Sequence, residues 1–191
     1  MASRMKVSSN EYLLDFVPEN VDRIGAFMDA QGFMVDHLFC VREISIESAF
    51  FSSHIEIKSE FTPISDCRLN YQTRYVHGLT LHSDTAEVSC RDLDTVIYTW
   101  YDILKNKLGS DVVVAVKNHQ LSKILTSLKV PHIDLNDHPV YSFPKLWELD
   151  EEFPVDIPFC SLHIHVLPEL RCSRRKAFQY FNYIKHHYQS E

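Results

Sequence analysis

Three residues toward the end of the chain have the types and spacing of a metal site: Cys160, His163 and Cys172, in the pattern Cys-x2-His-x8-Cys. Thiolate and imidazole donors suit zinc, whereas magnesium and calcium take oxygen ligands. His165 competes with His163, because either alternate residue of a short strand can point inward. The plainer reading of the two cysteines is burial, since free cysteine is among the most buried residue types. A Cys–His nucleophile pair does not fit, because Cys160 and His163 lie too close in sequence and no glycine stands nearby to build an oxyanion site. The chain has five cysteines, Cys40, Cys67, Cys90, Cys160 and Cys172. An odd number without a readable secretory signal favours reduced thiols or metal ligands over a disulfide framework.

A second group could contact phosphate. Arg171, Arg174, Arg175 and Lys176 place four cations within six residues, next to Tyr180, Phe181 and Tyr183, whose rings could stack on bases. Against 26 acids there are only 19 Lys and Arg, a net charge of −7. A polycation that coats nucleic acid by bulk charge is therefore excluded, and any such surface is local. The competing use of these cations is internal: Glu148, Asp150, Glu151, Glu152 and Asp156 form an acidic stretch that could pair with them. Four scattered glycines leave no Gly-rich phosphate loop. His119 follows a buried strand, where α/β folds keep ligands, although Asn118 as a helix cap beside an exposed histidine accounts for it equally. His77, in His77-Gly78-Leu79, is a groove residue or a loop histidine.

The elements that must position these groups read as one domain over residues 1–191, with 1–10 loose. Val21, Ile24, Phe27 and Met28 predict an amphipathic helix over Asn20–Gln31, ended by Gly32. Phe33–Ile46 is strand-rich, His54–Phe61 alternates as a half-buried strand, and Tyr71–Leu81 reads as a strand passing into a loop. Leu93, Val96, Ile97, Trp100, Ile103, Leu104 and Leu108 predict a helix over Asp92–Leu108 capped by Gly109. A buried strand over Asp111–Val116, a helix over Leu121–Leu128, a strand over His132–Leu135 and a basic final helix follow. Early strands before alternating helices and strands predict an α/β protein, a mixed sheet flanked by helices. The longest apolar run, Val112–Val116, is far short of the ~20 residues of a membrane span. A soluble intracellular protein, cytoplasmic or nuclear, is expected.

This order of elements, with the His77-Gly78-Leu79 loop and Val112-Val113-Val114-Ala115-Val116-Lys117-Asn118-His119 before a helix, resembles the DEDDh-type 3′–5′ exonuclease branch of the RNase H-like fold, over most of Phe33 to Tyr188. The resemblance implies an Asp-x-Glu pair on the strand matched by Phe39–Ile46, an acid in the helix after the buried strand, and a His with an Asp five positions later in the last helix. This chain has Val41-Arg42-Glu43, no acid in Leu121–Leu128, and Cys172 with Ala177 in the last helix. One carboxylate cannot hold two divalent ions ~3.5–4 Å apart, so the usual hydrolytic centre is lost. Glu43 joined to Cys160, His163 and Cys172 is similar to the Maelstrom domain, a relative from the piRNA pathway with a degenerate nuclease centre and a Glu/Cys/His zinc site. That likeness implies a structural zinc in place of catalytic ions, and RNA contact. The expected function is an RNA-binding or scaffold module in RNA silencing or nucleic-acid processing. A protein adaptor or transposon- or virus-derived relic is the alternative, and a residual nuclease a further one.

Overall fold

Ile24–Val35 is a strand, β1, and not the helix its spacing predicts over Asn20–Gln31. Only a single turn, α1 (Pro18–Val21), precedes it, with proline at the start of the helix. β1 is buried on both faces: Ala26, Met28 and Ala30 enter one core and Phe27 the other. A strand covered on both sides shows no clean alternation, so apolar residues at i, i+3 and i+7 mimic a helical stripe. The computed structural model describes residues 11–58, 69, 71–80, 85–86, 88–136, 143–157, 160–163 and 172–189. The segment 1–10, expected to be loose, lies outside them.

The strand-rich stretch resolves into a hairpin. β1 turns at Asp36-His37 into β2 (Leu38–Ser48), and both turn residues have positive φ, 46° and 69°. A two-residue loop with two left-handed positions matches the twist of an antiparallel pair. Gln31 lies opposite Glu43 and Gly32 opposite Val41, so Arg42 is the extra residue of a bulge. Gly32 permits that crossing: a Cβ there would sit 2.1 Å from the Cys40 carbonyl oxygen. Arg42 is 2% exposed, and its guanidinium donates to the carbonyls of Ile57 and Thr80.

β3 (Ser52–Lys58) pairs antiparallel with β2, and β4 (Val88–Ser89) adds a short parallel edge. α2 (Leu93–Leu108) ends at Gly109, φ 105°, as its sequence predicts. β5 (Val113–Val116) returns parallel to β1, and β6 (His132–Asp134) lies parallel to β5. The sheet order is β4-β3-β2-β1-β5-β6. Between β5 and β6, α3 (His119–Ser127) is capped by Asn118, whose Oδ1 accepts from the Gln120 and Leu121 amides and whose Nδ2 donates to the Ala30 carbonyl of β1. α4 (Leu146–Glu152) and α5 (Ser173–Tyr188) complete an α/β architecture, a six-stranded mixed sheet with helices on both faces.

One core lies between the sheet and α2 and α3, the other between the sheet and α4 and α5. A third cluster, with Phe33, Leu79, Leu162, Cys160 and Cys172, sits apart from both. Tyr71–Leu81, expected to be a strand, is instead a wide helical turn over Gln72–His77 that stops at Gly78, φ 71°. Its Gln72 side chain accepts from the Met34 amide and donates to the Met34 carbonyl. Those groups face the β1 edge beyond the reach of β5, so a side chain takes the place of a strand there. Among the described residues no helix is long and apolar enough to cross a membrane.

Candidate metal centre

The strand registers build a polar patch on the sheet face beneath α5. Gln31, Glu43 and Glu56 lie abreast on β1, β2 and β3, and Asp29, Ser45 and His54 form the next row. Above it, residues 160–163 are held by Leu79–Thr80, the Thr80 amide donating to the Leu162 carbonyl and Leu79 bridging His163. Glu56 fixes the same segment, accepting from the Ser161 amide at 3.1 Å and from the hydroxyls of Ser161 and Thr85.

Glu43, Cys160, His163 and Cys172 converge here, their ligand atoms all within 4.8 Å of one another. Glu43 and Cys172 are wholly buried and Cys160 is 8% exposed. The Cys160 thiol donates to Glu43 Oε2 at 2.8 Å, His163 Nε2 stands 3.2 Å from Oε1, and the Ser173 amide donates to Oε1 at 2.8 Å. That amide opens α5, so a carboxylate sits at the positive end of a helix.

Burial alone would raise the Glu43 carboxyl, but His163 and the Cys160 thiol hold it below its ordinary value. Burial would likewise lower His163, yet Cys172 and Glu43 push it up to about 10. The Cys160 thiol brings Cys172 down to about 5, while Cys172, burial and the Glu43 charge raise Cys160. A divalent ion bound by all four would take both cysteines as thiolates and His163 as a neutral imidazole, so its binding would release protons.

The donor set fits zinc. Tetrahedral zinc with bonds of about 2.0–2.3 Å separates its ligands by roughly 3.3–3.8 Å, about an ångström inside the present spread. These four residues could hold a metal ion. Two further groups have the same property: His54, Glu56 and Cys160, and the exposed Glu152, His186 and His187. Among the described residues Cys40, Cys160 and Cys172 are thiols and not disulfides.

The expected phosphate-contacting residues face acids. Arg175 stands 3.8 Å from Asp150, and Lys176 3.5 Å from Asp29. Arg174 is half-buried near Glu47, whose carboxyl burial raises while Arg174 pulls it down. His119 is exposed, 3.7 Å from the buried Asp134. Arg171, His165 and the His77 side chain lie outside what the structure describes. Sequence reasoning missed His54, Glu56 and Ser45, which strand register brings to the Glu43 patch, and Ser173, which the docking of α5 brings there. For His54 and Glu56 the one signal was the polar half of β3's alternation.

Asp29 gives this face a pH signature. Burial pushes its carboxyl up to about 6, against the opposing pull of Lys176 and Gln31. Between about pH 4 and 6 the folded chain holds a proton that the unfolded chain has lost, so this residue's contribution falls as pH rises, by about 3 kcal/mol. Asp29→Asn is expected to remove that slope in urea titrations across the window. An identical slope in the variant would contradict it.

No protein-family model matches the sequence, and no curated protein matches it.

Proposed function

We propose that this chain is an RNase H-like domain in which a structural zinc, held by Glu43, Cys160, His163 and Cys172, stands in place of a hydrolytic centre. It would work as a binding module of an RNA-silencing or nucleic-acid-processing assembly. The observation that carries this reading is the convergence of Glu43 with Cys160, His163 and Cys172, which lie more than a hundred residues further along the chain. The element order supports it too: a meander of three strands, a short edge strand, then helix, strand, helix, strand and two final helices. An acid-x-amide pair, Asp29-Ala30-Gln31, lies on β1, with Asp29 bonded to Gln31 at 2.7 Å and facing the Lys176 ammonium. That cation answers the charge a divalent ion would otherwise balance. The zinc would fasten α5 to β2.

Zinc bound here would supply fixed geometry and folding energy through ligand bonds absent from the unfolded chain. The chain's own residues do the rest: the Ser173 amide orients Glu43, and Glu56 holds the Cys160–His163 segment.

The partner divides into two readings. The ion pairs of Arg175 and Lys176 with Asp150 and Asp29 favour a protein partner, since cations already matched to acids give less to phosphate. An RNA-binding module would lose affinity steeply between 50 and 200 mM salt, and Arg174→Glu with Arg175→Glu would weaken it further. Titration of single-stranded RNA into the protein tests this. The protein-docking reading predicts no salt-sensitive binding and no effect of the reversal, and nanomolar RNA binding that collapses with both would overturn it.

A further inference from the structure

We infer that His54 is a positioning residue for the metal centre, holding Glu43 in its ligating orientation through a chain of buried hydrogen bonds. This rests on the metal reading proposed above. His54 lies on β3 directly across from Ser45, and its Nδ1 is 2.8 Å from the Ser45 hydroxyl. That hydroxyl is 2.7 Å from the Ser173 hydroxyl, at the first turn of α5. The other ring nitrogen, Nε2, is buried without a hydrogen-bond partner and stands 4.0 Å from Glu43 Oε2. For a neutral imidazole, the direction that sets a proton rather than a lone pair against the Glu43 carboxylate has Ser173 donating to Ser45 and Ser45 donating to Nδ1, which leaves the proton on Nε2.

Glu43 Oε2 accepts from the Cys160 thiol at 2.8 Å. With Cys160 holding zinc as a thiolate, Glu43 would lose that donor. The His54 N–H, about an ångström beyond hydrogen-bond reach, would then replace it, giving the ring an acceptor and the carboxylate a donor. The same Ser45–Ser173 contact ties the chain to the helix whose preceding residue is Cys172, so one run of hydrogen bonds from His54 through Ser45 to Ser173 joins β3, β2 and α5. Ligating carboxylates are commonly oriented by such outer partners, whose loss weakens metal binding about 10–100-fold.

The test is zinc affinity of the whole chain, by competition with a chromophoric chelator, together with the visible spectrum of the cobalt(II)-loaded protein. His54→Ala is expected to weaken zinc about 10–100-fold and to shift the cobalt bands, because Glu43 no longer holds its place. His54→Gln, whose amide can still donate at the Nε2 position, is expected to recover most of both. A role in packing alone would leave the cobalt spectrum unmoved. If His54→Ala does not fold, Ser45→Ala decides: it removes the donor that fixes the ring, and weaker zinc binding is expected. Wild-type affinity and spectrum in the folded variant would overturn the role of His54 while leaving the metal reading intact. A wild-type chain that takes up neither zinc nor cobalt would overturn the metal reading itself.

Discussion

Cys172→Ala is expected to lower the melting temperature of the zinc-loaded protein by roughly 10 °C, and chelator is expected to do the same to the wild type. A ligand present at a thousand times its dissociation constant stabilises the folded state by about 4 kcal/mol. In a chain of this size each kcal/mol moves the midpoint by about 2–4 °C. The sulfur of Cys172 is wholly buried at the residue just before α5, next to Ser173, whose amide binds Glu43. Loss of that ligand therefore loosens the helix from the sheet as well as the metal from its site. Trimming a buried inert thiol would cost far less, and would leave the chelator effect in place. The two perturbations should not add: chelator applied to Cys172→Ala is expected to change nothing further. Thermal unfolding of both proteins with and without chelator checks this, and additive shifts would contradict it.

Gly32→Ala is expected to be among the most damaging single changes in the chain, above about 4 kcal/mol. The added methyl would sit 2.1 Å from the Cys40 carbonyl oxygen and 2.9 Å from the Val41 Cα, backbone atoms of the paired strand that cannot turn aside. Relief requires the bulge at Arg42 to open, and that bulge sets which way Glu43 faces. Gly25→Ala is the matched control. Its methyl would meet Leu108 Cδ1 at 2.4 Å and Val112 Cγ2 at 2.5 Å, the ends of side chains. Leu108 is 43% exposed and free to swing, so about 1–3 kcal/mol is expected there. Urea midpoints of the two variants check the contrast. Equal costs would mean that the strand crossing at Gly32 is not the constraint described.

What could be read in advance depended on how local the cause was. The Cys160, His163 and Cys172 spacing is written along the chain, and a soft donor set needs no fold to be recognised. α2, α3 and β5 were legible for the same reason, since Trp100, Leu104 and Leu125 or Val113–Val116 carry their own period. β1 was not, because its two-sided burial erases the alternation that marks a strand. The turn at Asp36-His37 lacks the glycine or asparagine that advertises left-handed residues. Cross-strand register is also absent from a sequence, and it alone sets His54 and Glu56 beside Glu43. The basic run before Phe178 was visible as charge, but its acids, Asp29 and Asp150, lie far away in the chain.

Metal content per chain, measured by native mass spectrometry on the purified protein, tests the central claim most directly. The account predicts one zinc ion per chain, retained through dilution and lost from Cys160→Ala and Cys172→Ala. A folded wild-type chain at its metal-free mass, taking up no zinc when zinc is offered, would contradict it.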